Sequence, residues 1–175
     1  MAARDPLENP APLIRRVYSY VAYRTGDGPE AEDLTSEVFE RALRYRRSYD
    51  PRRGAPLTWL LGIARRCVDD SLRRSPTSTT GPPESVSPQD LEAETVERLT
   101  LAAAIDQLDE RARDLLALRY GADLSARQIG VVWGLKTNAV EVALHRVITR
   151  LRAELQEPDA AGPTPFPDAA SRTSP

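Results

Sequence analysis

The sequence predicts an all-α protein made of two small helical domains that a flexible linker joins. Apolar residues recur every three or four positions in both halves of the chain, which is the helical period. Between the halves, residues 76–90 are rich in Ser, Thr and Pro, a composition typical of a linker. We therefore expect an N-terminal arm over 1–11, domains over 12–75 and 91–156, and a disordered, Pro-rich tail over 157–175.

The first domain is expected to contain three helices. The first carries apolar residues four apart, and Gly26 follows where a C-cap is expected: Leu13, Val17, Val21. Asp27-Gly28-Pro29 offers a cap and a proline suited to a first turn, before a second apolar face: Leu34, Val38, Phe39, Ala42. A turn over residues 50–54 precedes a third run that Pro56 opens: Leu57, Leu60, Leu61, Ala64, Cys67, Val68, Leu72.

The second domain is expected to begin near Leu91. Its first helix carries apolar residues at helical spacing: Leu101, Ala104, Ile105, Leu108. Asp109 is placed to cap a following run that ends at Gly121 and carries three leucines: Leu115, Leu116, Leu118. The pairs Ser125 with Gln128 and Asn138 with Glu141 each fit a capping box, which predicts the starts of two more helices.

Composition excludes several classes of protein. No apolar stretch reaches the roughly 18–20 residues that span a bilayer, and the first residues lack the apolar core of a signal peptide, so we expect a cytoplasmic protein without membrane insertion. One Cys and one His exclude an internal disulfide and the usual Cys/His zinc sets. We expect Cys67 to be a small core residue, and we expect no metal, no cofactor and no catalytic residues.

The formal net charge of −2 conceals two opposite blocks. Residues 27–40 hold six acidic residues and no Lys or Arg, whereas residues 41–74 hold ten Arg against three Asp, about +7 by counting. Because partners respond to local patches, the first domain is predicted to have two electrically different faces.

The segment from Ser125 to Arg152 has the spacing of a helix-turn-helix. Gly130 allows the two helices to approach closely, Gly134 permits the turn, and apolar contacts fix the crossing angle: Ile129, Leu135, Val140, Leu144. Such a motif places its second helix in the major groove of DNA. The candidate DNA-contacting residues are Ser125, Lys136, Thr137, Asn138, Glu141, Val142 and His145, with Arg146, Arg150 and Arg152 suited to phosphates.

These residues also fit structural roles that involve no DNA. A generic helical hairpin would show the same spacing. Glu141 could only complete the cap of Asn138, His145 could be a solvated helix residue, and Arg150 could pair with Glu154 on the same helix.

From about Leu13 to Leu155 the chain resembles the extracytoplasmic-function sigma factors, group IV of the sigma-70 family. GDGPEAEDLTSEVFERAL is similar to the helix of that family that binds core RNA polymerase, and YDPRRGAPLTWLLGIARRCVDDSLRR to its promoter-melting, minus-10-reading helix. LDERARDLLALRY and the helix-turn-helix are similar to its minus-35-reading region. The two motif sets occur in the family's order and are joined by a linker of the expected kind.

The resemblance implies roles for residues of the first domain. The docking face for the polymerase would contain Asp33, Leu34, Glu37, Val38 and Phe39, although an ordinary solvated acidic face fits the same charges. The minus-10 surface would present Trp59, Ile63, Arg66 and Asp70, while Arg52, Arg53, Arg65, Arg66, Arg73 and Arg74 would hold phosphates. Trp59 also fits a core position. In the recognition helix Glu141-Val142-Ala143 replaces the family's basic run, which leaves the upstream promoter sequence open.

The expected function is that of a sigma subunit, with core polymerase and promoter DNA as partners and, by family analogy, an anti-sigma protein. Two other classes stay open: a helix-turn-helix regulator that binds DNA but not polymerase, and a helical antagonist that mimics the sigma fold without binding DNA. Polymerase association through the acidic helix would exclude the regulator. DNA binding by the second domain at low salt would exclude the antagonist.

Overall fold

The computed structural model describes residues 5–74 and 93–156, and side chains in all of these except 93–97. This part of the chain forms seven α-helices: α1 (Pro10–Thr25), α2 (Pro29–Tyr45), α3 (Pro56–Arg74), α4 (Ala93–Asp106), α5 (Glu110–Leu116), α6 (Ala126–Trp133) and α7 (Thr137–Gln156). A 3₁₀ turn, Arg46–Ser48, follows α2, and a π-helical segment, Ala117–Gly121, continues α5. The expected all-α class is confirmed, whereas the predicted linker and tail lie outside the described residues.

In the first half, α1, α2 and α3 pack around one apolar core. A proline stands in the first turn of both α1 and α2, where its missing N–H costs no hydrogen bond. The cap of α2 is Gly28, with φ of 135°, and the Asp27 carboxylate accepts a hydrogen bond from the Tyr18 hydroxyl instead. Cys67 is fully buried in the core, as predicted.

Two helices of the second half, α5 and α6, begin where polar caps predict them. The Asp109 carboxylate accepts a hydrogen bond from the backbone N–H of Ala112 at 2.9 Å, and Ser125 with Gln128 forms the predicted reciprocal capping box. The π-helical segment closes with a hydrogen bond from the N–H of Ala122 to the carbonyl of Ala117 at 2.9 Å. It aims the chain from α5 towards α6, the first helix of the helix-turn-helix.

The two halves pack against each other. The π-helical segment lies along α1, and α6 lies along α3, so the apolar cores of the halves join into one cluster. A Cβ on Gly121 would lie 3.0 Å from the carbonyl oxygen of Ser19, so a larger residue there would have to shift the segment or α1 by a few tenths of an ångström.

The described residues contain no helix long and apolar enough to cross a membrane. Within the same ranges, no three His, Cys, Asp or Glu side chains come together as a metal site.

Candidate nucleic-acid interface

The helix-turn-helix is built as its glycines predict. A Cβ on Gly130 would meet the carbonyl oxygen of Leu135 at 2.7 Å, so α6 passes directly over the turn. Gly134 adopts a left-handed conformation with φ of 68°, which L side chains avoid. Ile129 and Val140 are fully buried between the helices, whereas Leu135 stays partly exposed on the turn. This packing fixes α7 against the body of the domain.

The outer face of α7 is polar and exposed. The predicted base-contacting residues in the turn and along the helix all lie on this face: Lys136, Thr137, Asn138, Glu141, Val142, His145. Val142, 42% exposed, adds an apolar patch of the kind that contacts a thymine methyl group. Ser125 is also exposed, but its hydroxyl is engaged in the cap of α6.

The second predicted capping box is wrong. The N–H groups of Ala139 and Val140 both donate to the carbonyl of Lys136, at 3.0 and 3.3 Å, so the helix already includes Thr137. Asn138 therefore lies inside the first turn and not at the cap, because the chain enters α7 as soon as it leaves the turn at Gly134. Asn138 and Glu141 thus point outward without the reciprocal bonds of a cap.

The arginines of α7 differ in what surrounds them. Arg146 and Arg152 are exposed. Arg150 donates to Glu154 at 2.9 Å, which confirms the alternative that sequence spacing offered, and also to the carbonyl of Gln107 at 3.1 Å. Arg150 therefore links α7 to the end of α4, and its predicted phosphate contact would compete with this pairing.

A groove beside α3, called here the α3 groove, is the second candidate surface. It encloses about 610 Å³, and residues from both halves line it: Tyr49, Arg53, Trp59, Ile63, Arg66, Val131, Val132. The rings of Tyr49 and Trp59 lie 5.6 Å apart and tilted by 57°. Trp59 is half-buried, so it is neither a core residue nor a fully exposed one.

Tyr49 was missed by sequence reasoning, although it directly precedes the turn that opens α3. Its hydroxyl donates to the carbonyl of Gly54 at 3.1 Å, which fixes the ring beside Trp59. Burial, followed by the nearby Asp50, raises the pKa of Tyr49, so its hydroxyl stays neutral and keeps this bond.

The predicted phosphate-binding arginines of the first half fall into two groups. Five are exposed around α3 and the preceding turn: Arg52, Arg53, Arg66, Arg73, Arg74. Arg73 is paired with Asp70 at 2.5 Å on the same helix, so Asp70 faces an arginine here. Arg65 instead points to the other half, where its Nε donates to the Asp114 carboxylate at 2.7 Å.

Asp114 is the centre of a buried polar network that the sequence did not reveal. Its carboxylate accepts hydrogen bonds from Tyr20 at 2.7 Å, Arg24 at 3.1 Å, Arg65 at 2.7 Å and Trp133 at 2.9 Å. We call these five residues the Asp114 cluster. Three of them come from the first half, so the cluster joins the two halves. Arg24, in the apolar stripe of α1, was the available signal because a buried arginine requires an acidic partner.

The cluster holds two guanidinium groups against one carboxylate, and Glu110 beside Arg24 supplies the second negative charge. Burial alone would lower the pKa of Arg24, but Tyr20, Asp114 and Glu110 together raise it, so the guanidinium stays charged. Burial, then the charge of Asp114, places the pKa of Tyr20 well above its usual value, and the phenol therefore stays a donor. Burial also raises the pKa of Asp69, with the nearby Asp114 adding to it.

The acidic helix α2 presents only part of its predicted docking face. Asp33 is exposed, Glu37 pairs with Arg41 at 2.5 Å, and Phe39 is half-buried at the edge of the core. Leu34 and Val38 are buried inside the first half, so they do not lie on the exposed surface of α2 in this structure. The apolar stripe of α2 is used by its own core, which leaves the charged side for a partner.

Comparison with known proteins gives two family matches. Residues 12–76 match the model described as Sigma-70 region 2, and residues 104–153 match Sigma-70, region 4.

Several sequence relatives carry one common description. The chain is 28% identical over 162 residues to "ECF RNA polymerase sigma factor SigL" of Mycobacterium tuberculosis, covering 84% of this chain and 91% of the relative. It is 30% identical over 168 residues to "ECF RNA polymerase sigma factor SigD" of Mycobacterium bovis, covering 88% and 77% respectively. It is 32% identical over 152 residues to "ECF RNA polymerase sigma factor BldN" of Streptomyces coelicolor, covering 82% of this chain and 57% of BldN.

Two solved structures share the fold. CnrH in complex with the cytosolic domain of CnrY has a TM-score of 0.55 at 22% identity, over 83% of this chain and 80% of that one. The sigma factor RpoE in complex with the anti-sigma factor NepR from Bartonella quintana has a TM-score of 0.61 at 15% identity, over 83% and 92%.

Proposed function

The chain belongs to the extracytoplasmic-function sigma factors of RNA polymerase, and on that premise we propose how its surfaces divide the work of promoter recognition. The charged side of α2 binds core polymerase, the α3 groove captures the melted minus-10 element, and α7 reads the minus-35 element in the major groove. The observation that carries this division is the presence, in one chain, of a helix-turn-helix with an exposed polar α7 and a basic groove beside α3 lined by aromatic rings.

The α3 groove suits single-stranded DNA. Unpaired bases stack on aromatic faces, and Tyr49 and Trp59 offer two such faces side by side. Arg53 and Arg66 line the same groove and can neutralise phosphates of the strand. The groove therefore favours a melted strand over a duplex, whose bases are already stacked.

The face of α7 suits duplex DNA. Asn138 can make a bidentate contact with adenine, Glu141 can accept from cytosine, and Val142 can contact a thymine methyl group. Arg146 and Lys136 extend beside them and suit phosphates. Glu141 in place of a basic residue makes the preferred upstream element one that offers a cytosine amino group.

On α2, Asp33 and Glu37 form the accessible acidic edge, with the rim of Phe39 beside them. Such an edge repels DNA and pairs with a basic protein surface. The chain needs no catalytic group of its own, because the polymerase carries out the chemistry. We place it with the polymerase in the cytoplasm, and in group IV of the sigma-70 family because residues 77–103 alone separate the two matched regions. One structural relative is bound to an anti-sigma factor, so we propose a similar inhibitory partner here.

The test is capture of core polymerase followed by transcription. Tagged wild type should co-purify with core enzyme in equimolar amounts and should support run-off transcription from genomic promoter fragments. Asp33→Arg should lose capture, because a basic residue would face a basic partner. Asp106→Arg, the same change at an exposed position on α4, should bind as wild type does. Failure of the wild-type chain to initiate on any promoter fragment would overturn the proposed function.

A further inference from the structure

We propose that Arg41 is a positioning residue that couples the acidic edge of α2 to a phosphate-binding arginine at the end of α3. Four side chains of alternating charge make the connection, and we call them the ionic chain: Glu37, Arg41, Asp70, Arg73. When a partner engages Glu37, Arg41 turns to Asp70, and Asp70 releases Arg73 for DNA. The docking role of Glu37 rests on the proposed function, and the phosphate contact of Arg73 rests on the family resemblance.

The ionic chain crosses from α2 to α3, which pack against each other. On α2, the Nη2 atom of Arg41 lies 2.5 Å from the carboxylate of Glu37, one helical turn earlier. On α3, the Oδ1 atom of Asp70 lies 2.5 Å from Nη2 of Arg73, while its Oδ2 atom lies 3.8 Å from Nη1 of Arg41. Arg41 and Asp70 therefore each have one partner on their own helix and one on the other side of the chain.

The two central residues divide their charge between two partners. Because Arg41 is held close to Glu37, it reaches Asp70 only at 3.8 Å, which is beyond hydrogen-bond distance. Loss of the Glu37 contact would let Arg41 approach Asp70. The carboxylate would then share its charge with a nearer guanidinium, and its attraction for Arg73 would weaken. Arg74 also donates to Asp70, but to its backbone carbonyl at 3.2 Å, so it does not compete for the carboxylate.

Both ends of the ionic chain are accessible. The side chain of Glu37 is 34% exposed and that of Arg73 is 74% exposed, so a protein can reach one end and a phosphate the other. Glu37 lies on the charged side of α2, and Arg73 lies in the last turn of α3. Because exposed ion pairs are weak, each member can exchange partners at little cost, and the coupling is modest in size.

Binding of a fluorescent duplex oligonucleotide to the free, full-length chain tests the ionic chain. Phosphate contacts dominate at low salt, so the measurement needs no known promoter sequence. Glu37→Gln removes the charge that holds Arg41, and it should tighten binding about twofold relative to Glu32→Gln, the size expected for one exposed ion pair. Glu32→Gln removes the same charge from an exposed position in the first turn of α2 and controls for the change in net charge.

The effect should depend on each later member of the ionic chain. Three single variants interrupt the connection and serve as backgrounds: Arg41→Gln, Asp70→Asn, Arg73→Gln. In each of them, Glu37→Gln should tighten binding no more than Glu32→Gln does, because its effect can no longer reach a phosphate contact.

The salt dependence of binding gives a second readout, which a purely structural role of Arg41 would not change. Glu37→Gln should steepen the slope of log affinity against log salt by up to about 1, because Arg73 becomes available to a phosphate. The change should be absent from the Arg73→Gln background. Circular dichroism verifies that the variants keep their helices.

The outcomes separate this inference from the proposed function. Equal affinities for Glu37→Gln and Glu32→Gln would overturn the coupling, and so would an effect of Glu37→Gln that persists in the Arg41→Gln background. A chain that shows the coupling but never supports transcription with core polymerase would refute the sigma function and leave the ionic chain intact. A chain that transcribes without the coupling would refute the role of Arg41 alone.

Discussion

Replacing Gly130 with Ala should weaken the helix-turn-helix, although alanine is normally the better helix residue. The added Cβ would lie 2.7 Å from the carbonyl oxygen of Leu135, well below the 3.4 Å at which ordinary contacts begin. The backbone of Leu135 cannot easily move away, because its N–H donates to the carbonyl of Gly130 at 2.8 Å.

The expected change in the free energy of unfolding is the difference between two opposing contributions. Forcing a methyl group into a packed contact costs about 1–3 kcal/mol, and alanine in a helix interior recovers about 0.5–1 kcal/mol relative to glycine. We expect Gly130→Ala to lower the free energy of unfolding by up to about 2.5 kcal/mol. Gly62→Ala, on α3 with nothing within 4 Å of the new Cβ, is the matched control and should raise it by about 0.5–1 kcal/mol.

Urea unfolding followed by circular dichroism measures both variants against wild type. If Gly130→Ala proved as stable as Gly62→Ala, the close approach of α6 to the turn would be refuted as the reason for glycine. A loss of stability with unchanged affinity for duplex DNA would refute the further step, that this contact positions α7.

Asp109→Ala should cost about 1 kcal/mol of stability because the first turn of α5 loses its cap, and an unchanged urea midpoint would contradict this. Asn138→Ala should lose about 1–3 kcal/mol of discrimination between promoter sequences, measured by anisotropy with matched and altered duplexes; equal losses on both duplexes would exclude a base contact. Arg146→Ala should weaken binding to all sequences alike and reduce the slope of log affinity against log salt by about 1, and an unaltered slope would exclude a phosphate contact. The raised pKa of Asp69 means that its stabilising contribution is present below the unfolded-state pKa and is lost as pH rises through the folded-state pKa. Asp69→Asn should therefore be more stable than wild type at neutral pH, with the difference fading in acid; a less stable variant at neutral pH would refute this.

Local signals in the sequence predicted most of the helices, because the forces that begin and end a helix act over a few residues. Asp109 and Ser125 both cap the helices they were expected to cap. Asn138 did not, because α7 already begins at Thr137, shortly after the turn at Gly134. A capping pattern predicts a helix start only where nothing upstream has fixed the chain earlier.

The exposed face of α7 was predicted better than the exposed face of α2. Helical spacing placed the outer residues of α7 correctly, because buried Val140 and the partly buried Leu144, Val147 and Leu151 turn one side of the helix towards the core. On α2 the family pattern grouped Leu34 and Val38 with the docking face, but their side chains belong to the core beneath it. A one-dimensional motif records which residues occur together and not which side of the helix each one occupies.

The packing between the halves could not be predicted from the sequence for a different reason, which α1 illustrates. A helix that covers one core buries a single stripe, and Leu13, Val17 and Val21 were assigned to such a stripe. In the structure every residue from Tyr20 to Thr25 is buried, so the end of α1 is enclosed on all sides. That segment, YVAYRT, carries one charge, on Arg24. Asp114 and Glu110 neutralise it, and they lie 90 and 86 residues downstream, in the other half of the chain. A short helix that is buried all round needs a second partner, and in this chain the partner is the other half of the same molecule.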